Sequence, residues 1–400
     1  MRSRHLLTLD APTRAGEVAP FLRAISAALD GSGPAVLPLP PGPEAIRTAL
    51  VEAAQVDEPL EDDDIALVVA TSGSTGTPKL AMLTADALLA SARATQQVVG
   101  GPSGWGLALP LSSIGGLQML VRSLDSATRP VFVDLTDGFT PTAFSAAATH
   151  LLGAPGDHLR ATSLVPTQLS RILDDETAVG LLVRLDAILL GGAAAHPSLV
   201  ERARDRGMRV ITTYGMTETS GGCVYDGLPL RGVGVRTDPD GHIVLSGRTL
   251  FTGYRLQPQR TAEMLRNDEL ITHDLGRIDA TGRLVVLGRD DDVVISGGVN
   301  VSCLRVESVL IDHPQVEQVV VVGVDDAQWG QRVVAAVVPT RAGPGPSIEQ
   351  LREFAAGRLP PAALPRAIVS LQGFPLLTSG KPDRTAVRTL ASGSATSDSN

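Results

Sequence analysis

Four hundred residues, 43% of them apolar and 19% charged, suffice for two or three cored domains and exclude a chain that is disordered throughout. The 43 acidic side chains outnumber the 34 basic ones, giving a net charge of −9, and aromatics make up 3%. That balance excludes a protein-wide phosphate footprint or a stacking platform for single-stranded nucleic acid, so no nucleic-acid partner is expected.

Two cysteines without paired spacing, Cys223 and Cys303, point to neither a disulfide framework nor a cysteine zinc site, and a reducing compartment is the default. The seven histidines run from His5 to His313 with no pair on one helical face, which gives a histidine metal site little support. The basic start is interrupted at Thr8 and Asp10, unlike a signal peptide, and no apolar run approaches the roughly 20 residues of a membrane helix. A cytoplasmic protein without a membrane partner is expected.

Along the chain, the first 60 or so residues are rich in Pro and Gly, with one helical stretch at 17–30. The acidic run Glu61-Asp62-Asp63-Asp64 reads as a solvated edge. Strands are expected at Ile65–Ala70, Trp105–Leu109, Pro130–Val133, Ala161–Val165, Ala187–Leu190 and Val210–Thr213. Helical stretches such as 84–99 and 141–152 alternate with them, and Thr84 is placed to cap the first. Strands separated by single helices predict crossover units on a mostly parallel sheet.

After Gly221 the turns DPDG, SGR and DATGR separate short alternating strands, predicting a β-rich antiparallel region. Beyond Asp290, helices are expected at 305–313 and 347–359 and strands at 316–324 and 332–340, the pattern of a small α+β domain. The fold class is therefore α/β: a large N-terminal domain over 1–290, a small domain over 291–390, and a disordered polar tail over 391–400.

The strongest chemical signal is Thr71-Ser72-Gly73-Ser74-Thr75-Gly76-Thr77-Pro78-Lys79, directly after a strand and shortly before a helix. Glycines let backbone N–H groups approach phosphate oxygens, hydroxyls add donors, and Lys79 adds charge. A polyphosphate is the expected ligand. The spacing is not that of a Walker loop, and Gly380-Lys381 fails the same test because Pro375 stands where its first glycine belongs.

This loop resembles that of the adenylate-forming enzymes, which include acyl-CoA synthetases, luciferases and peptide-synthetase adenylation domains. Other segments follow in the family's order: Gly191-Gly192-Ala193-Ala194, Tyr214-Gly215-Met216-Thr217-Glu218-Thr219, the glycine-framed stretch 241–254, Thr272-His273-Asp274, Gly288-Arg289-Asp290-Asp291-Asp292, and Thr378-Ser379-Gly380-Lys381-Pro382-Asp383-Arg384. The resemblance implies that Gly191, Gly192, Ala193, Tyr214 and Gly215 receive adenine, that Thr217 meets phosphate, and that Glu218 holds Mg²⁺. It implies that Asp274 and Arg289 hold the ribose, that Asp291 is a hinge, and that Lys381 is the catalytic lysine. Gly297 and Gly298 are implied beside the channel for CoA.

The implied reaction joins a carboxylate to the α-phosphate of ATP and then passes the acyl group to the CoA sulfur. Two anions meet in the first step, so Lys381, Mg²⁺ and the phosphate loop must offset charge.

Three features narrow the acid. About 70 residues precede the phosphate loop, fewer than most members carry. Segments 162–169 and 220–227 are similar to those of 2-succinylbenzoate–CoA ligases of menaquinone biosynthesis, particularly short actinobacterial forms. A second carboxylate and a keto group would call for deep polar groups, for which Ser163, Thr167, Gln168 and Ser220 are candidates; Thr167 and Gln168 serve equally well as helix caps after Pro166. Ser112-Ser113 stands where the family has an aromatic-His pair. Cys303 replaces a common proline and reads as buried and inert, and Arg305 replaces a common glutamate, while Glu307 is retained. Other readings are another aryl- or fatty-acyl-CoA ligase, a carrier-protein ligase, and a non-catalytic nucleotide-binding relative. A homodimer is also compatible with the family.

Overall fold

The structure is a computed structural model, and it describes residues 4–71, 78–290, 292–340, 345–376 and 382–394, the last without its side chain. The chain divides into two compact units, Met1–Val235 with Leu245–Ile271, and Arg236–Val244 with Thr272–Asn400. Among the described residues no helix is long and apolar enough to cross a membrane.

The first unit holds two sheets. β1 (Leu6–Asp10), β2 (Ala35–Leu39) and β3 (Ile65–Thr71) run parallel, joined through helices α1 (Val18–Leu29) and α2 (Glu44–Ala54). β4 (Lys79–Thr84) then folds back antiparallel on β3. The helix at 17–30 is observed as α1, but β1 and β2 lie in the stretch that read as Pro- and Gly-rich. Apolar burial overrides composition there, because every residue of β2 is buried. Its Pro38 pairs along β1 with Leu9, while the recorded pairing with β3 is at Val36, so the missing N–H is tolerated.

α3 (Ala85–Val99) follows, and Thr84 Oγ1 accepts from the Ala87 N–H at 3.1 Å, as the sequence suggested. The second sheet contains β5 (Ser103–Leu107), β6 (Val131–Phe132), β7 (Leu159–Leu164), β8 (Ala187–Leu190) and β9 (Val210–Met216), all parallel, in the spatial order β9-β8-β7-β5-β6. Helices α4 (Ile114–Asp125), α5 (Pro141–Gly153), α6 (Pro166–Leu173), α7 (Glu176–Leu182) and α8 (Pro197–Asp205) make the crossovers. Leu164, Ile188, Leu190 and Val210 pack with Phe144, Leu169, Ile172 and Leu182 in one buried core. The expected α/β architecture is thus observed.

β10 (Gly221–Tyr225) and β11 (Leu228–Pro229) end this sheet antiparallel. β12 (Val233–Thr237) and β13 (His242–Gly247) follow, and the short β14 (Gly253–Tyr254) returns to the first sheet beside β4. α9 (Pro258–Met264), β15 (Leu265–Arg266) and the long β16 (Glu269–Ile278) come next, with β15 and β16 pairing antiparallel.

In the second unit β16 pairs with β17 (Leu284–Arg289). Beyond them a sheet of β18 (Val293–Ser296), β19 (Val299–Ser302), β20 (Val316–Asp326), β21 (Gly330–Pro339) and β22 (Ala367–Ser370) has the order β19-β18-β21-β20, with β22 on β21. Side chains alternate across it. Val321, Val333, Ala335 and Val337 pack with Val306 and Leu310 of α10 (Cys303–Leu310) and Leu351 of α11 (Ile348–Ala355). Val320, Val322, Val334 and Ala336 pack instead with Val387 and Ala391 of α12 (Arg384–Ser394). That last helix was not anticipated, and it runs four residues into the stretch read as a polar tail. Its apolar Val387 and Ala391, one turn apart, supply the buried stripe that outweighs its Ser and Gly content.

Candidate active site

The Ser/Gly/Thr loop joins β3 to β4. Its flanks, Thr71 and Lys79, are register partners across that antiparallel pair. Positions Ser72, Gly73, Ser74, Thr75, Gly76 and Thr77 lie outside the described residues. The helix expected shortly after the loop is α3, which begins at Ala85; what the sequence reading did not anticipate is that the intervening residues Lys79–Thr84 form a strand, β4. The run KLAMLT is apolar enough to be buried against β3, which explains the extra strand between the loop and the helix.

The next candidates cluster at the end of β9. A side chain at Gly191 would put its Cβ 2.1 Å from Thr213 Oγ1, so the turn after β8 lies directly against the strand carrying Tyr214. A Cβ at Gly215 would lie 2.1 Å from the Gly221 carbonyl oxygen, so only glycine lets β9 and β10 close here. Gly192 has φ +80° and is exposed with Ala193. Between the strands, residues Thr217–Thr219 form one 3₁₀ turn. Thr219 locks it: its Oγ1 accepts from the Met216 N–H at 3.0 Å and lies 2.7 Å from the Gly221 carbonyl, to which it donates. Ser220 then takes the left-handed region at φ 52°.

This turn buries Glu218 to 8% exposure and directs it at Tyr254, whose hydroxyl donates to Glu218 Oε1 at 2.6 Å. That length is usual for a hydroxyl on a carboxylate oxygen. Among the described residues no other side chain donates to Glu218. A carboxylate oxygen is the donor type that Mg²⁺ selects, so the residue present fits that ion.

The acid-binding candidates are placed less uniformly. Gln168 has spent its amide: Oε1 accepts from the Val165 N–H at 3.0 Å and Nε2 donates to the Ala108 carbonyl at 2.9 Å. Ser163 is buried in β7 and Thr167 is half-buried at the start of α6. Ser220 is fully buried, and its Oγ has no partner among the described residues. Ser113, at the position of the family's histidine, caps α4 by accepting from the Gly116 N–H at 3.4 Å.

Sequence reading missed Arg122. It lies on α4 at 3% exposure, 4.9 Å over the Trp105 ring, and donates from Nη2 to Tyr225 Oη at 3.3 Å. Its Nε has no partner, and among the described residues no carboxylate pairs with it. Burial pushes this guanidinium below its ordinary value, with Tyr225 acting in the opposite direction. A buried cation without an anion is costly, which marks Arg122 as a place for a ligand's negative charge. Gln118, one turn earlier, would be 3.1 Å from a Cβ at Gly221, so α4 packs directly on the Ser220–Gly221 turn. The signal in the sequence was an arginine directly after the apolar run Met119-Leu120-Val121.

The second unit brings Asp274 and Arg289 together across β16 and β17, with Arg289 Nη1 3.1 Å from Asp274 Oδ1. Next to them, Asp290 accepts from two histidines: His242 Nε2 and His273 Nδ1 each lie 3.1 Å from its carboxylate. His242 Nδ1 is also 3.1 Å from Asp238. Partial burial disfavours the charged form of His242, but Asp238 and Asp290 outweigh it and raise its pKa above the ordinary 6.5.

Gly297 and Gly298, with φ of 60° and 78°, form the two-residue turn between β18 and β19. Turn geometry alone therefore calls for glycine there. Arg384 Nη2 pairs with Glu307 at 2.8 Å, and its Nε lies 3.5 Å from Asp292. Burial pushes the Cys303 thiol up to about 12, so it is inert, as expected. The hinge candidate Asp291 and the catalytic candidate Lys381 lie outside the described residues.

Residues 27–255 match the model of the AMP-binding enzyme family, and residues 305–381 match its C-terminal domain. The chain is 42% identical to the "Probable 2-succinylbenzoate–CoA ligase" of Mycobacterium tuberculosis, over 92% of this chain and 94% of that one. It is 32% identical to the 2-succinylbenzoate–CoA ligase of a Geobacillus species, over 80% and 68%. It superposes with TM-score 0.74 and 25% identity on the o-succinylbenzoate CoA synthetase of Bacillus subtilis in complex with its acyl-adenylate intermediate, covering 96% of this chain and 88% of that one. The same synthetase is also known in complex with ATP and magnesium ion. This chain belongs to the AMP-binding enzyme family.

Proposed function

We propose that the protein is an AMP-forming acid–CoA ligase acting on 2-succinylbenzoate. The observation that carries this reading is the 42% identity to a mycobacterial relative named for that activity, over 92% of the chain. Arg122, buried and with no carboxylate paired to it among the described residues, supports it independently, since the acid has a second carboxylate that does not react.

In the first half-reaction the acid's carboxylate oxygen attacks the α-phosphorus of ATP and pyrophosphate leaves. Thr71, Lys79 and the loop between them hold the phosphates, and Gly191, Gly192, Ala193, Tyr214 and Gly215 accept adenine. Glu218 holds Mg²⁺, which when bound offsets phosphate charge. Thr217 donates to phosphate, and Asp274 with Arg289 takes the ribose hydroxyls, for which a carboxylate is a good acceptor. Lys381 places a cation on the oxygens that gain charge as the bond forms.

In the second half-reaction the CoA sulfur attacks the acyl carbonyl and AMP leaves. Rotation about Asp291 withdraws Lys381 and presents the Gly297–Gly298 turn. That turn is flanked by Ile295 at 55% exposure and Val299 at 45%, apolar surface suited to a pantetheine arm. Ser163, Thr167 and Ser220 contribute polar groups to the acid. On this reading a nucleotide- and acid-binding part spans 1–290, a mobile part spans 291–390, and the enzyme works in the cytoplasm.

Pyrophosphate–ATP exchange across a panel of acids tests this. Exchange strongest with 2-succinylbenzoate supports the reading. Preference for benzoate or a fatty acid removes the substrate assignment, and no exchange with any acid removes the ligase.

A further inference from the structure

The turn that presents Glu218 does not hold the carboxylate itself; Tyr254 does. Tyr254 lies 36 residues further along, at the end of the glycine-framed stretch 241–254. It is 2% exposed, so its hydroxyl needs a partner, and it finds one in Glu218 Oε1 at 2.6 Å.

Everything around Tyr254 is fixed. Its backbone N–H donates to Thr261 Oγ1 at 2.9 Å, and β14 is paired with Ala81 and Met82 of β4. Its ring meets Phe251 edge-on at 5.0 Å, and the Phe251 N–H donates to the Glu218 carbonyl at 2.9 Å. The next residue, Arg255, is 1% exposed and donates to the carbonyls of Ala54, Gln55, Glu58 and Pro59 and to the Glu61 carboxylate. The 251–255 segment is thus clamped at both ends, with one hydroxyl projecting onto a carboxylate in another strand connection. Such a hydroxyl occupies Oε1 and sets the direction in which Oε2 points.

We propose that Tyr254 is the positioning residue for Glu218, orienting its free oxygen toward a divalent cation on the nucleotide. Metal-binding carboxylates depend on such outer hydrogen bonds, whose removal typically costs 10- to 100-fold in affinity. The proposal rests on the assignment of Glu218 as the Mg²⁺ ligand.

The test uses the full chain with α,β-methylene-ATP limiting and Mn²⁺ as the probe, bound metal being read by electron paramagnetic resonance. Tyr254→Phe keeps the ring against Phe251 and removes only the hydroxyl. It is expected to raise the Mn²⁺ dissociation constant roughly 10- to 100-fold and to raise the Mg²⁺ concentration that half-saturates adenylation. Metal-free nucleotide affinity and the unfolding temperature are expected to change little. Glu218→Gln is the reference. If Glu218→Gln weakens Mn²⁺ binding and folded Tyr254→Phe does not, the positioning role is wrong. If Glu218→Gln also leaves Mn²⁺ binding unchanged, the metal assignment fails and the inference falls with it. Should Tyr254→Phe not fold, Glu218→Asp draws the carboxylate away from an intact Tyr254; undiminished Mn²⁺ binding in that variant also overturns the proposal.

Discussion

Asp274 and Arg289 face each other as register partners on β16 and β17, and one guanidinium nitrogen lies 3.1 Å from the carboxylate. The strand ladder, not the flexibility of the side chains, fixes that distance. Asp274 is nearly buried, at 8% exposure, while the Arg289 side chain is 44% exposed. Asp274→Ala is therefore expected to raise the KM for ATP ~10-fold, about one charge-assisted hydrogen bond, with little change in the KM for the acid. Steady-state kinetics with each substrate varied separately measures this, and an equal rise in both constants would count against a nucleotide role.

Arg122 makes a prediction about selectivity. Arg122→Met should weaken 2-succinylbenzoate far more than 4-oxo-4-phenylbutanoate, which keeps the side-chain carboxylate for adenylation and lacks the one on the ring, with a difference in kcat/KM on the order of 100-fold. Arg122→Lys should recover part of it. Loss of both acids to the same degree would show that Arg122 serves only the packing of α4 on Trp105.

Lys381 separates the half-reactions. Lys381→Ala should lower the rate of adenylation by roughly 10² or more while leaving thioester formation from supplied acyl-adenylate nearly intact. Single-turnover measurements of both steps decide, and parallel losses would refute the assigned role.

Arg255 is a stability prediction. Its buried guanidinium binds four carbonyls and the Glu61 carboxylate, at distances from 2.6 to 3.1 Å. Arg255→Met strands all of them, and a loss of about 3–5 kcal/mol is expected in urea unfolding. A change below about 1 kcal/mol would mean that the carbonyls find water instead.

His242 gives stability a pH dependence. Its folded pKa is raised above the ordinary 6.5 by Asp238 and Asp290, against the opposing effect of burial. Its contribution is thus full below about 6.5 and is lost as pH rises through the folded value. The groups around it are Asp238, Asp240, Asp290 and, across Asp290, His273. His242→Asn should flatten the fall in urea midpoint between pH 6 and pH 8.5. An unchanged slope would assign that fall to other groups.

Much of this enzyme is legible locally. Alternation of apolar strands with helices fixes the α/β class, and Ala187–Leu190 appears with the bounds read from the sequence. The candidates Gly191, Tyr214, Glu218, Asp274 and Arg289 were named through the resemblance of their ordered segments to the family, and the structure brings Asp274 and Arg289 together as register partners. β2 and α12 were not legible, because Pro, Gly and Ser mask elements that form only when a neighbouring sheet buries their apolar residues. Glu61 shows the same limit: it read as part of a solvated charge run, yet its carboxylate is held by Arg255 at 2.6 Å.

The sequence by itself determined the order of the chemical segments, the parallel architecture and the family, since each depends on residue type at short spacing. Only the tertiary structure decided which distant residues meet: Tyr254 on Glu218, two histidines on Asp290, and Arg122 over Trp105 with no carboxylate beside it among the described residues. Those relationships depend on strand register and burial, and a guanidinium or hydroxyl acquires its energetic meaning only when the fold removes water and leaves one partner, or none, within reach.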